Sequence, residues 1–127
     1  LRYRIAREGI DTIVGNHLEV GALKFDATET YIVTWNNDFH VDNIVGNATD
    51  LRREEGGWIT AEVTWSGEKS PEVSKLVDRE EVWLTIYATQ VEDQRRINAQ
   101  RVVSSATLRA LYLTPGLKSP WTEMEKE

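Results

Sequence analysis

The side chain best suited to acid–base work is His40. It sits in the polar stretch Asn37-Asp38-Phe39-His40-Val41-Asp42, just ahead of a strand-like segment. An imidazole at the rim of a sheet titrates near neutrality and can take a proton from a hydroxyl nucleophile. The plainer reading of the same stretch is a solvent-exposed loop histidine. His17, between Asn16 and Leu18, has no comparable context. Glu62, Asp78, Glu80 and Glu81 offer carboxylates, but their spacing marks no metal site. With two histidines and no cysteine, the chain is expected to hold neither metal nor cofactor, and thiol nucleophiles and disulfides are excluded. The eight glycines are dispersed, and no dinucleotide fingerprint or lysine-bearing phosphate loop occurs.

Other residues point to binding instead. Five tryptophans (Trp35, Trp58, Trp65, Trp83 and Trp121) are many for 127 residues, and such rings either fill a core or anchor an interface. Arg2, Arg4 and Arg7 crowd one end while Glu123, Glu125 and Glu127 close the other, a distribution suited to contacts between neighbouring copies. The net charge of −6 argues against nucleic acid as a partner. No stretch approaches the ~20 apolar residues of a membrane-spanning helix, no signal-peptide pattern opens the chain, and no membrane partner is expected.

The elements that must position these groups have mostly a period of two. Tyr31, Val33 and Trp35 alternate onto one face before Asn36-Asn37-Asp38 breaks the run. Ile44 to Arg53 and Trp58 to Ser66 form a hairpin across Glu54-Glu55-Gly56-Gly57, whose glycines supply positive φ. Ile59, Ala61, Val63 and Trp65 share one of its faces. A short helix follows, with Ser70 as N-cap, Pro71 in the first turn and Val73, Leu76 and Val77 as its apolar stripe. Val82 to Val91 alternates again, Glu92 to Gln100 reads as a charged loop, and Arg101 to Thr114 resumes a strand. Ile10 to Phe25 reads as one or two strands, and Arg2 to Ala6 as a terminal strand or arm. The expected fold is mostly β with one short helix (α+β), a small β-barrel or two-layer sheet. Its divisions are an N-terminal arm (1–9), a single β-rich domain (10–114) and an extended C-terminal tail (115–127).

The order of loop histidine, strand, glycine turn, strand, helix, strand and final strand resembles the prohead maturation serine proteases of tailed bacteriophages. Phe39-His40-Val41-Asp42-Asn43-Ile44-Val45-Gly46 is similar to that family's histidine and following strand start, and Asp50 to Val63 to its next hairpin. The likeness covers roughly residues 20 to 121. It implies a nucleophilic serine in the strand after the helix, where this chain has Leu84-Thr85-Ile86-Tyr87-Ala88, and a carboxylate in the last strand, where it has Leu108-Arg109-Ala110-Leu111-Tyr112. Threonine replaces serine, and alanine stands where the acid would. Loss of one triad member costs several powers of ten in turnover.

Under that resemblance the expected role is a non-enzymatic virion protein, made in the host bacterial cytoplasm, that decorates or stabilises the capsid shell. Its partners would be the phage major capsid protein and neighbouring copies of itself. Contacts would run through the tails and through Arg2, Arg4, Arg7, Trp83, Tyr87 and Trp121, with an array of weak contacts summing to avidity. No catalytic residues are expected. The first alternative is a maturation protease using His40 with Thr85, or with Ser104 or Ser105. The second is a head–tail connector or tail-completion protein.

Overall fold

The computed structural model describes residues 2–11, 16–35, 41–67, 70–79, 81–95 and 101–115. Its strands are β1 (Arg2–Arg7), β2 (Asn16–Leu18), β3 (Leu23–Lys24), β4 (Tyr31–Trp35), β5 (Ile44–Arg53), β6 (Trp58–Trp65), β7 (Val82–Arg95) and β8 (Arg101–Pro115). One helix, α1 (Ser70–Asp78), lies between β6 and β7. The sheet runs β1-β6-β5-β4-β8, and β8 also pairs with β2, β3 and β7. The architecture is mostly strand with one helix, a curled open sheet that makes half a barrel. It meets the expected mostly β fold.

β8 organises this sheet. Along one side it pairs antiparallel with β7 from Arg101 to Pro115. Along the other, three short strands lie end to end and parallel to it: β2 against Arg101–Val103, β3 against Ala106–Thr107 and β4 against Leu111–Leu113. Its inward residues Val103, Ala106, Leu108, Leu111 and Leu113 are buried with Val33, Val45, Leu51, Ile59 and Ile86 in one core. α1 presents Val73, Leu76 and Val77 to that core, as its periodicity requires of a helix too short to stand alone. The hairpin turn also forms as read, with Gly56 and Gly57 at φ +81° and +83°. A Cβ on Gly57 would collide with the Glu8 carbonyl oxygen, so glycine is required there twice over.

One expectation resolves to one of its alternatives and another is corrected. Of the terminal strand or arm read for the first residues, the strand forms and not an arm. Arg2–Arg7 form β1, antiparallel to β6, with Ile5 and Ala6 fully buried. Two apolar side chains inside the core outweigh the solvation of three arginines whose heads stay near the surface. Nor is Glu92 to Gln100 loop throughout, because β7 continues to Arg95. The extension is polar because it is the end of a long hairpin, where the Ser104 hydroxyl donates to the Glu92 carbonyl (3.2 Å) and Arg101 pairs with Asp93. The four described tryptophans, Trp35, Trp58, Trp65 and Trp83, are half-buried, and the core is built of Ile, Leu, Val and Ala instead.

Candidate functional site

Thr85 and Ala110, the positions expected from the resemblance to matter for hydrolysis, lie on β7 and β8. Thr85 pairs with Tyr112 and Tyr87 with Ala110, so Thr85 and Ala110 occupy diagonal positions of adjacent strands. Thr34 of β4 also pairs with Tyr112, completing a row of three across the sheet. The chemistry of that row is poor. Thr85 is completely buried, as is Thr34, and each is engaged with another residue. Ala110 is buried too and offers only a methyl where a carboxylate would orient a base. Burial raises the Tyr112 phenol above its ordinary 10.0, which removes it as a base near neutrality. His40 lies outside the described residues, as does Trp121.

The described histidine is elsewhere. His17 on β2 shares a 2.7 Å hydrogen bond, through Nδ1, with Asp11. This is a base-and-orienter pair in form. Its strand position is Val102 of β8, whereas Thr85 stands opposite Tyr112, ten residues along the same strand. At ~3.3 Å per residue that is roughly 30 Å, beyond any proton transfer. Ser104, nearer in register, donates its hydroxyl to the Glu92 carbonyl. Among the described residues no group of three or more His, Asp or Glu could hold a metal ion.

The sheet's margin is chemically richer. β1 and β7 each pair with one strand, β6 and β8 respectively, and they pack against each other without a shared ladder. Between them lies a cleft of about 310 Å³, lined by Tyr3 and Arg4 of β1, Val82, Trp83 and Leu84 of β7, and Val77 and Asp78 of α1. Such a volume stands at the lower limit of ligand pockets (~300 Å³). Tyr3 is fixed edge-on to Trp65, with ring centroids 5.8 Å apart, and accepts a long hydrogen bond from the Trp65 indole (3.4 Å).

Above this cleft the arginines of β1 share the outer face. Arg4 and Arg7 both stack on Trp58, with guanidinium carbons 4.3 and 4.8 Å from its ring centroid. Arg7 also donates to the Gly56 carbonyl (2.7 Å). Arg2 bonds the Asp50 carboxylate (2.8 Å), which Arg52 shares (2.7 Å). Asp50 adopts φ +52° at a break in the β5–β6 register, a conformation that aspartate tolerates better than most residues. Further along, the Glu8 carboxylate is buried between Arg53 Nε (3.0 Å) and the Leu23 amide (3.0 Å), pinning the end of β1 to β3 and β5.

Of the residues singled out for binding, the structure gathers Arg4 and Trp83 in one cleft and sets Arg2 and Arg7 beside it. Tyr87 is 38% exposed and faces outward from β7. Sequence reasoning missed Tyr3, Val77 and Asp78 as cleft residues and Trp58 as the platform for the arginines. The β1–β6 register that brings Trp58 to Arg7 joins segments some fifty residues apart, and no local pattern announces it. No family model, curated protein or solved structure matches this chain.

Proposed function

We propose that this domain is a non-enzymatic structural protein that works by binding neighbouring subunits. In the setting implied by its resemblance to the prohead proteases, that means stabilising or decorating a tailed-phage capsid shell. The observation that carries the non-enzymatic half is the burial of Thr85 beside the methyl of Ala110. A hydroxyl sealed inside a sheet cannot meet a peptide carbonyl, and nothing acidic stands where the base would be oriented. The binding half is supported by the cleft between two strand edges and by the arginines arrayed over it. Strand edges are common docking elements because an incoming strand can bond to their backbone groups.

The test uses mature particles and two substitutions, His40→Ala and Thr85→Ala. The protein is expected to remain in purified particles, and processing of the capsid and scaffold chains is expected to proceed unchanged with either variant. Loss of cleavage with either would establish the protease instead. Absence of the protein from particles would remove the capsid role.

A further inference from the structure

We propose that the outer face of β1 and β6 is a docking platform for an acidic peptide segment of a partner protein, extended and carrying carboxylates at alternate positions. The proposal rests on the binding role above and adds the chemistry of the partner.

The platform exists because of one irregularity. The register of β1 on β6 shifts between Arg4 and Ala6, and Ile5 and Ala6 are both fully buried. In an unbroken strand Arg7 would share the inward face of Tyr3 and Ile5. The extra residue turns it back onto the face of Arg2 and Arg4. The three arginines therefore stand opposite Glu62, Thr60 and Trp58, alternate residues of β6. Alternate strand positions lie roughly 7 Å apart.

This face already shows how it holds a carboxylate. Asp50 lies between Arg2 (2.8 Å) and Arg52 (2.7 Å), and Arg2 also donates to the Thr60 hydroxyl (3.0 Å). Arg4 is the member with donors to spare. It is exposed and stacked on Trp58, and among the described residues no carboxylate pairs with it. Stacking uses the flat face of a guanidinium and leaves the N–H groups in its plane to meet a carboxylate. Arg7 is held on the same ring and by the Gly56 carbonyl (2.7 Å). Trp58 thus orders two cations in advance, which reduces the side-chain entropy lost on binding.

Spacing and charge name the occupant. An extended peptide repeats every second residue at the same ~7 Å, so acids at alternate positions meet successive arginines. The chain as a whole carries a net charge of −6, which repels such a segment elsewhere and favours this face. Nucleic acid, charged at every residue, meets that repulsion beyond the few arginines and is disfavoured. Contact runs through side chains over the face, so no strand edge has to be vacant.

The test is fluorescence anisotropy of a labelled peptide, four repeats of Thr-Glu, titrated with the full chain. Saturable binding that weakens as salt rises is expected. A block peptide of four threonines followed by four glutamates should bind about fivefold more weakly. Arg4→Glu should weaken binding about tenfold with the urea midpoint little changed. Arg4→Lys, which keeps the charge without the flat fork, should weaken it about threefold. Lys75→Glu, the same change of charge on an exposed position of α1, should leave binding within about twofold. Absence of binding, equal binding by the block peptide, or an equal loss with Lys75→Glu overturns the proposal. Tighter binding of a thymidine octanucleotide also overturns it and assigns the face to nucleic acid. So does binding that emerges only after Glu123→Gln, Glu125→Gln and Glu127→Gln together, because the chain's own end would then be the occupant. If the peptide fails to bind while the protein stays in purified particles, the platform fails and the assembly reading stands. If the peptide binds as expected but the protein is absent from particles, the assembly reading fails and the platform stands.

Discussion

β8 and the β1–β7 margin are built from the same alternating material and behave as opposites. β8 has strand partners on both sides, and its inward residues are fully enclosed. β1 and β7 spend one side on the sheet and leave the other facing a cleft. Cohesion is concentrated in the strand that everything else pairs with, whereas capacity for recognition is left at the rim. The row Thr34-Tyr112-Thr85, which holds the threonine singled out from the sequence, belongs to the cohesive region. Full enclosure of its threonines makes it scaffold.

The contrast breaks most easily at its centre. Leu111→Ala removes a side chain with no exposure and is expected to cost about 3 kcal/mol, within the ~2–5 typical of buried leucines. The check is a lowered urea midpoint at constant slope. A loss below ~1 kcal/mol would show that β8 is not the organising strand. Next in size, Arg53→Ala strands the Glu8 carboxylate, which is almost wholly enclosed, without its cation. The loss should be about 2 kcal/mol, less than for a fully buried pair because Arg53 is itself half-exposed. Amide exchange should quicken in β1 while β8 stays protected, which sharpens the division between rim and centre.

At the rim itself, Arg4→Ala gives up an exposed stacking contact on Trp58 and should cost only about 0.5 kcal/mol in the same titration. The smallest effect is one of pH. Burial raises the Tyr112 phenol above 10.0, so the folded chain holds that proton more tightly than the unfolded one. Its contribution is complete below about pH 10 and is lost as pH climbs through the raised value. Tyr112→Phe should flatten that alkaline decline, and a decline left unchanged would assign it to other groups.

Short-range features were legible. Gly56-Gly57 announced the β5–β6 turn, and Val73, Leu76 and Val77 announced a docked helix, because both patterns act within a few residues. The strand character of Tyr31–Trp35 and of Val82 onward was equally plain. Arg2–Arg7 was harder, since three arginines mask Ile5 and Ala6, and their placement depends on a partner strand far along the chain. Parallel pairing of β2, β3 and β4 along β8 leaves no local trace, because β2 and β3 are too short to show alternation and the alternation of β4 does not name its partner. The candidate site followed the same rule. Arg4 and Trp83 could be named singly, whereas their meeting with Tyr3 and Val77 is a property of curvature.

The placement of β8 also governs the order of events during synthesis. Val33 bonds alongside Leu111, 78 positions later, and β2, β3 and β7 wait on the same stretch. A chain emerging from the ribosome can pair β5 with β6 early and add β1 and β4 to them, but β2 and β3 meet their strand partner only when residues 101–115 appear. Closure of the sheet is thus deferred until that stretch has been made. A nascent chain halted before that point would display several unsatisfied strands at once, an invitation to aggregate that chaperones would need to cover.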